Sequence, residues 1–166
     1  MKCLLLLALA LAAAAILTSS ASAGSQATRP MKGDCSTTFS FVGFKDGNAQ
    51  VPLFHIIGVC HFTHLGLAAW DAVQAVYPNG TLVNDGTYTA ANGDTLSSHM
   101  IGTGDPISAG PLVNFQVQEW YSSGTGRFAD VVTGNPATDA PAATGAGWAS
   151  LIDSTGWFAT TGSITY

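Results

Sequence analysis

The stretch Thr81–Gly102, TLVNDGTYTAANGDTLSSHMIG, decides the fold class. Asn92-Gly93 lies between two runs rich in Thr, Val, Tyr and Ile, and such a pair suits a tight hairpin turn because both residues tolerate positive φ. The spacing predicts a hairpin of Thr81–Ala90 with Thr95–Gly102. Further on, Leu112 to Tyr121 (LVNFQVQEWY) alternates strictly. Val113, Phe115, Val117, Glu119 and Tyr121 share one face, and Asn114, Gln116, Gln118 and Trp120 share the other. A period of two marks a strand with one face covered.

Working outward from this pair, other segments read as strands. Ser36 to Phe44 is apolar on both sides and ends at the turn Asp46-Gly47-Asn48. Val51 to Leu67, interrupted by Pro52 and Gly58, is either two strands or one long strand bent at Gly58. Leu65 to Tyr77 fits both a helical stripe and an alternation; the turn residues Pro78-Asn79-Gly80 beside it favour a strand. A loop over 104–111 and a turn over 123–126 follow, and Arg127 to Thr133 resumes the sheet. Residues 134–147, GNPATDAPAATGAG, read as a surface loop. Trp148 to Asp153 and Trp157 to Tyr166 are the last strands. The reading is an all-β, eight-stranded antiparallel β-barrel.

Residues 1–23 have the pattern of a signal peptide: Lys2, an apolar core from Leu4 to Leu17, and the small-residue sequence Ala21-Ser22-Ala23. Residues 24–34 read as a flexible tail, leaving 35–166 as a single barrel domain of ordinary size. The expected location is secreted or periplasmic. After the leader no apolar run is long enough for a membrane-spanning helix. Four basic residues, Arg29, Lys32, Lys45 and Arg127, then face ten acidic ones. No basic run exists to neutralise phosphates, so nucleic acid is excluded as a partner. Charged residues make up only 9% of the chain. Helical bundles need charged wet faces, whereas Thr-edged strands joined at Gly turns do not.

Cys3 belongs to the leader, and Cys35 with Cys60 forms an even pair in an oxidising compartment. A bridge between them closes a loop of about 25 residues, worth roughly 3 kcal/mol; two buried free thiols are the alternative.

Three segments, Thr63-His64-Leu65-Gly66, Ala90-Ala91-Asn92-Gly93-Asp94-Thr95-Leu96 and Gly124-Thr125-Gly126-Arg127-Phe128-Ala129, resemble the bacterial secreted relatives of the allene oxide cyclase and dirigent barrels. The resemblance spans roughly residues 36–166. Ser123 stands where that family usually has a second Gly, and 134–147 looks like a rebuilt connection. The resemblance implies an eight-stranded barrel with a ligand cavity, in dimers or trimers. The plant members perform or guide cyclisation and radical coupling, while most bacterial relatives have no assigned activity.

A barrel of eight strands is either filled by side chains or holds one small ligand. Phe54, Phe62, Trp70, Tyr88, Phe115, Trp120, Trp148 and Trp157 supply aromatic area for such a cavity, and of these Phe62, Trp70, Tyr88 and Phe115, with Glu119, are the expected ligand-binding residues; ordinary core packing is the competing reading. Glu119 is the only glutamate. Inside the barrel its pKa rises, which suits a general acid or a hook for a ligand hydroxyl; a bulge turns it to solvent instead. His64 is the other catalytic candidate, competing with a structural role. His61 and His64 point to opposite faces of a strand, His55 and His61 lie far apart, and no tight metal motif exists, so no metal and no cofactor are expected. G-x-S-x-G is absent, and Gly124-Thr125-Gly126 reads as a turn rather than a phosphate cradle. Asn79-Gly80-Thr81 matches a glycosylation sequon at a turn.

The leading functional expectation is therefore an exported barrel that binds a small apolar or aromatic molecule. An isomerase or cyclase is the first alternative, since holding a flexible substrate in a reactive shape accelerates such reactions. A self-assembling cell-surface protein is the second.

Overall fold

A computed structural model of the chain describes residues 26–105 and 110–166. The signal-peptide expectation for 1–23 lies outside the described residues. Eight strands follow in order: β1 (Thr28–Phe44), β2 (Pro52–Phe62), β3 (Gly66–Val76), β4 (Thr81–Ala90), β5 (Thr95–Gly104), β6 (Leu112–Gly124), β7 (Ala143–Ser150) and β8 (Thr155–Thr165). Each pairs antiparallel with the next, and β8 returns to β1 from Thr28↔Thr165 to Thr38↔Thr155, closing the barrel. Closure leaves no exposed sheet edge, the usual template for aggregation.

The hairpin across Asn92-Gly93 forms with Tyr88 opposite Leu96, and Gly93 takes the positive φ that the turn requires (+88°). Leu65 to Tyr77 contributes a strand, β3. Gly58 does not break β2. It faces inward opposite Trp70 in register, where a Cβ would stand 3.0 Å from the Thr37 methyl group on β1.

Three boundaries correct the sequence reading. First, residues 28–34 are not a flexible tail: they form the start of β1, and Met31 is 1% exposed. Pro30 hid this start. The ladder to β2 begins only at Gly33, so residues 28–32 are in ladder register with β8 alone; on the other side only Thr63 reaches the strand, at Pro30 O and Lys32, and no ladder bond needs the N–H that Pro30 lacks. Second, Arg127 to Thr133 is not a strand. A single 3-10 turn, Gly126–Phe128, puts Phe128 into the core, and Val131 follows it there. Third, β7 starts at Ala143, inside the expected loop, and ends at Ser150 rather than Asp153. Its small residues are needed inside the barrel: a Cβ on Gly147 would stand 2.8 Å from Phe115 Cζ and 2.6 Å from Phe158 Cβ.

Cys35 and Cys60 are register partners on β1 and β2, both fully buried and bridged, with Cα atoms 4.0 Å apart. No helix among the described residues is long and apolar enough to cross a membrane. The barrel interior is mostly apolar, while Gln116, Gln118, Thr144 and Thr161 are directed outward on β6 to β8.

Candidate functional site

Strand alternation sorts the side chains into an inner and an outer set, and the inner set changes character along the barrel axis. At the end carrying turns 63–65 and 91–94, the interior is filled. Met31, Phe62, Tyr88, Leu96, Tyr121, Phe128 and Ile164 are all at most 4% exposed. Phe62 meets the Tyr88 ring edge-on at 5.1 Å, and Phe128 meets Tyr166 at 5.0 Å. The three segments that carry the family resemblance converge on this closed end. Thr125 Oγ1 accepts from the Thr95 amide at 3.0 Å, Arg127 forms an ion pair with Asp94 at 3.2 Å, and its Nη2 donates to the Leu65 carbonyl at 3.4 Å. Gly126 is required there, since its φ is +57° and its Cα faces the Asp94 carboxylate. These motifs fasten turns together.

At the opposite end the interior is hollow. Phe39, Phe54, Trp70, Phe115, Val117 and Phe158 line an apolar cavity of about 80 Å³. That is well above the roughly 10–15 Å³ that admits one water and below the roughly 300 Å³ of sites for drug-sized molecules. Trp70 divides the two halves. It lines the cavity on one side and stacks on Tyr88 on the other, with ring centroids 5.9 Å apart and planes at 17°. Phe158 meets the same indole at 5.0 Å.

Of the residues expected to bind a ligand, Trp70 and Phe115 line the cavity, while Phe62, Tyr88 and Glu119 belong to the filled half. Glu119 faces inward as the alternation of β6 implies; the bulge in this strand comes later, between the residues facing Ser97 and Ser98. Its carboxyl is fully buried, and Tyr88 Oη donates to its Oε1 at 3.0 Å. Burial pushes the Glu119 pKa from 4.5 up to about 7, against the opposing effect of the Tyr88 and Ser98 hydroxyls. Ser98 lies near enough for that effect, yet its Oγ and Glu119 Oε2 make no hydrogen bond. Tyr121 Oη approaches Met31 Sδ at 3.3 Å, and burial raises its pKa too. This cluster is an acid stored under the cavity floor.

His64 stands in the turn between β2 and β3 at the closed end, half-buried and away from the cavity lining. His55 bonds Asp71 at 3.0 Å and His99 bonds Asp85 at 2.6 Å, both pairs on the outer face. Among the described residues, no three His, Cys, Asp or Glu side chains gather to hold one ion.

No family model, curated protein or solved structure matches this chain.

Of the wider aromatic set, Phe54 and Trp148 line the cavity while Trp120 and Trp157 do not; sequence reasoning missed Phe39 and Phe158 and overlooked two amides among them, Gln74 and Asn84. The signal was present in the hairpin. Asn84 shares parity with Leu82 and Tyr88, a polar residue on an otherwise apolar face.

Proposed function

We propose that this chain is an exported barrel that binds one small apolar or aromatic molecule in the hollow half of its interior. One observation carries the reading: the barrel is packed at one end and left open at the other, around Phe39, Phe54, Trp70 and Phe115. Interiors close to crystal density are the rule, so an aromatic-lined void is retained at a cost in stability that ligand binding offsets. Export is supported by the leader pattern of residues 1–23 and by the Cys35–Cys60 bridge. The resemblance to allene oxide cyclase and dirigent barrels is consistent with a cavity of this kind. An isomerase or cyclase has less support, because Glu119 lies beneath the floor and His64 lies at the far end.

Native mass spectrometry of protein purified from its host is the test, repeated on Ala149→Phe, which puts a ring at a lining position of the cavity. A bound small molecule on the wild type, lost in the variant, is expected. A wild type that neither carries nor takes up a small apolar molecule overturns the reading.

A second reading, assembly with copies of itself, draws on the outer face of β2 and β3. Ile57, Val59, Leu67 and Val73 are about half exposed there, a cluster of outward apolar side chains crossed by the His55–Asp71 pair. Light scattering decides it: a dimer or trimer supports it, and a monomer at high concentration refutes it.

A further inference from the structure

We infer that the cavity selects ligands with a polar end that both donates and accepts a hydrogen bond, such as a primary amide or an un-ionised carboxylic acid, and that Asn84 reads that end. The inference rests on the ligand-binding reading above and makes it more specific. Asn84 lines the cavity from β4 and is 3% exposed, yet neither its Oδ1 nor its Nδ2 has a partner. An amide buried without bonds costs about 1–3 kcal/mol for each group left unsatisfied, and native structures keep few of them. The penalty falls at a cavity wall, where an incoming molecule removes it.

Two neighbours add to the pattern. Trp70 lines the cavity too, and its Nε1 is buried without an acceptor. It points towards β4, since a Cβ on Gly86 would lie 2.7 Å from it, and Gly86 is the next inward residue after Asn84. Gln74, the register partner of Asn84 on β3, brings a second amide to the same wall. The wall thus holds two amides at paired register positions of β3 and β4, with the Trp70 N–H turned towards the next inward position of β4, in an otherwise aromatic chamber. A carboxamide or carboxylic acid matches this set, because it carries an oxygen acceptor and an adjacent N–H or O–H donor in one plane. A carboxylate does not, since it donates nothing and would be buried without a cation. Met100 faces Asn84 across β5 and lines the same cavity. Its unbranched side chain is the one that turns aside as the ligand's polar end reaches the amide.

The test compares three probes of similar size, benzamide, acetophenone and toluene, titrated into isotope-labelled protein and followed by NMR, with the Asn84 side-chain NH₂ resonances as the local reporter. Benzamide is expected to bind about tenfold more tightly than toluene, acetophenone to fall between them, and the Asn84 resonances to move with benzamide. In Asn84→Leu, which keeps the branching at Cγ and the number of heavy atoms but has no polar atoms, the ratio of benzamide to toluene affinity is expected to drop to near one. If that variant does not fold, the wild-type resonances alone decide. Equal affinities with the Asn84 resonances unmoved, as when a resident water already holds the amide, overturn the inference and leave the binding reading standing. Saturable binding by none of the three overturns both.

Discussion

The Tyr88 hydroxyl donates to Glu119 Oε1 at 3.0 Å across the interior, joining β4 to β6 past the strand between them. The bond is made inside the filled half, where the carboxyl is favoured in its neutral form, as its pKa of about 7 records. A buried acid of this kind links stability to pH with a definite sign.

An unfolded Glu119 loses its proton near 4.5, whereas the folded one keeps it to about 7. Between these values the native state binds more protons, so stability falls as pH rises through that window and levels off above it. The loss is about 3 kcal/mol. Urea melts from pH 4 to pH 8 check this, and Glu119→Gln, which still accepts from Tyr88, is expected to flatten this part of the profile. A wild-type stability that rises over the same window contradicts the assignment.

Met31 tests the corrected start of β1. Its side chain is 1% exposed and lies against Tyr121 Oη. Met31→Ala is expected to destabilise the barrel by about 2–5 kcal/mol, the range for truncating a buried side chain. If residues 28–34 were a loose tail, the variant would melt like the wild type in denaturant.

Gly147 tests the inward role of the small residues of β7. Gly147→Ala pushes a methyl group against Phe115 and Phe158 and is expected to cost about 1–3 kcal/mol by overpacking. Ala146→Ser, one residue away and facing outward, is the control expected to change little. Thermal melts of the two variants side by side separate the faces.

How far the sequence could be read depended on where a local pattern and the tertiary need agreed. Thr81–Gly102 and Leu112–Tyr121 were legible because turn chemistry and period two act within a few residues. Ala143–Ser150 was not, because Gly145 and Gly147 are small to make room for side chains brought by β6 and β8, and nothing local distinguishes that need from a loop. Phe128 and Val131 misled for a related reason: both are buried, but from a 3-10 turn and the segment after it rather than from a strand. Trp120 sits on the outward face of β6 and is still buried, because the 129–142 loop folds over it and its Nε1 donates to the Asp139 carbonyl at 3.0 Å. In the candidate site, the inward direction of Glu119 followed from alternation. Its depth below Trp70 did not, since depth along a barrel axis depends on how all eight strands are staggered.

The central claim is that one half of this barrel is hollow and the other full. Crystals pressurised with xenon test it most directly, because xenon settles in dry apolar voids. The account predicts xenon between Phe39, Trp70, Phe115 and Phe158, with none among Phe62, Tyr88 and Tyr121. A barrel without xenon in the first cluster, its side chains collapsed together there, would contradict it.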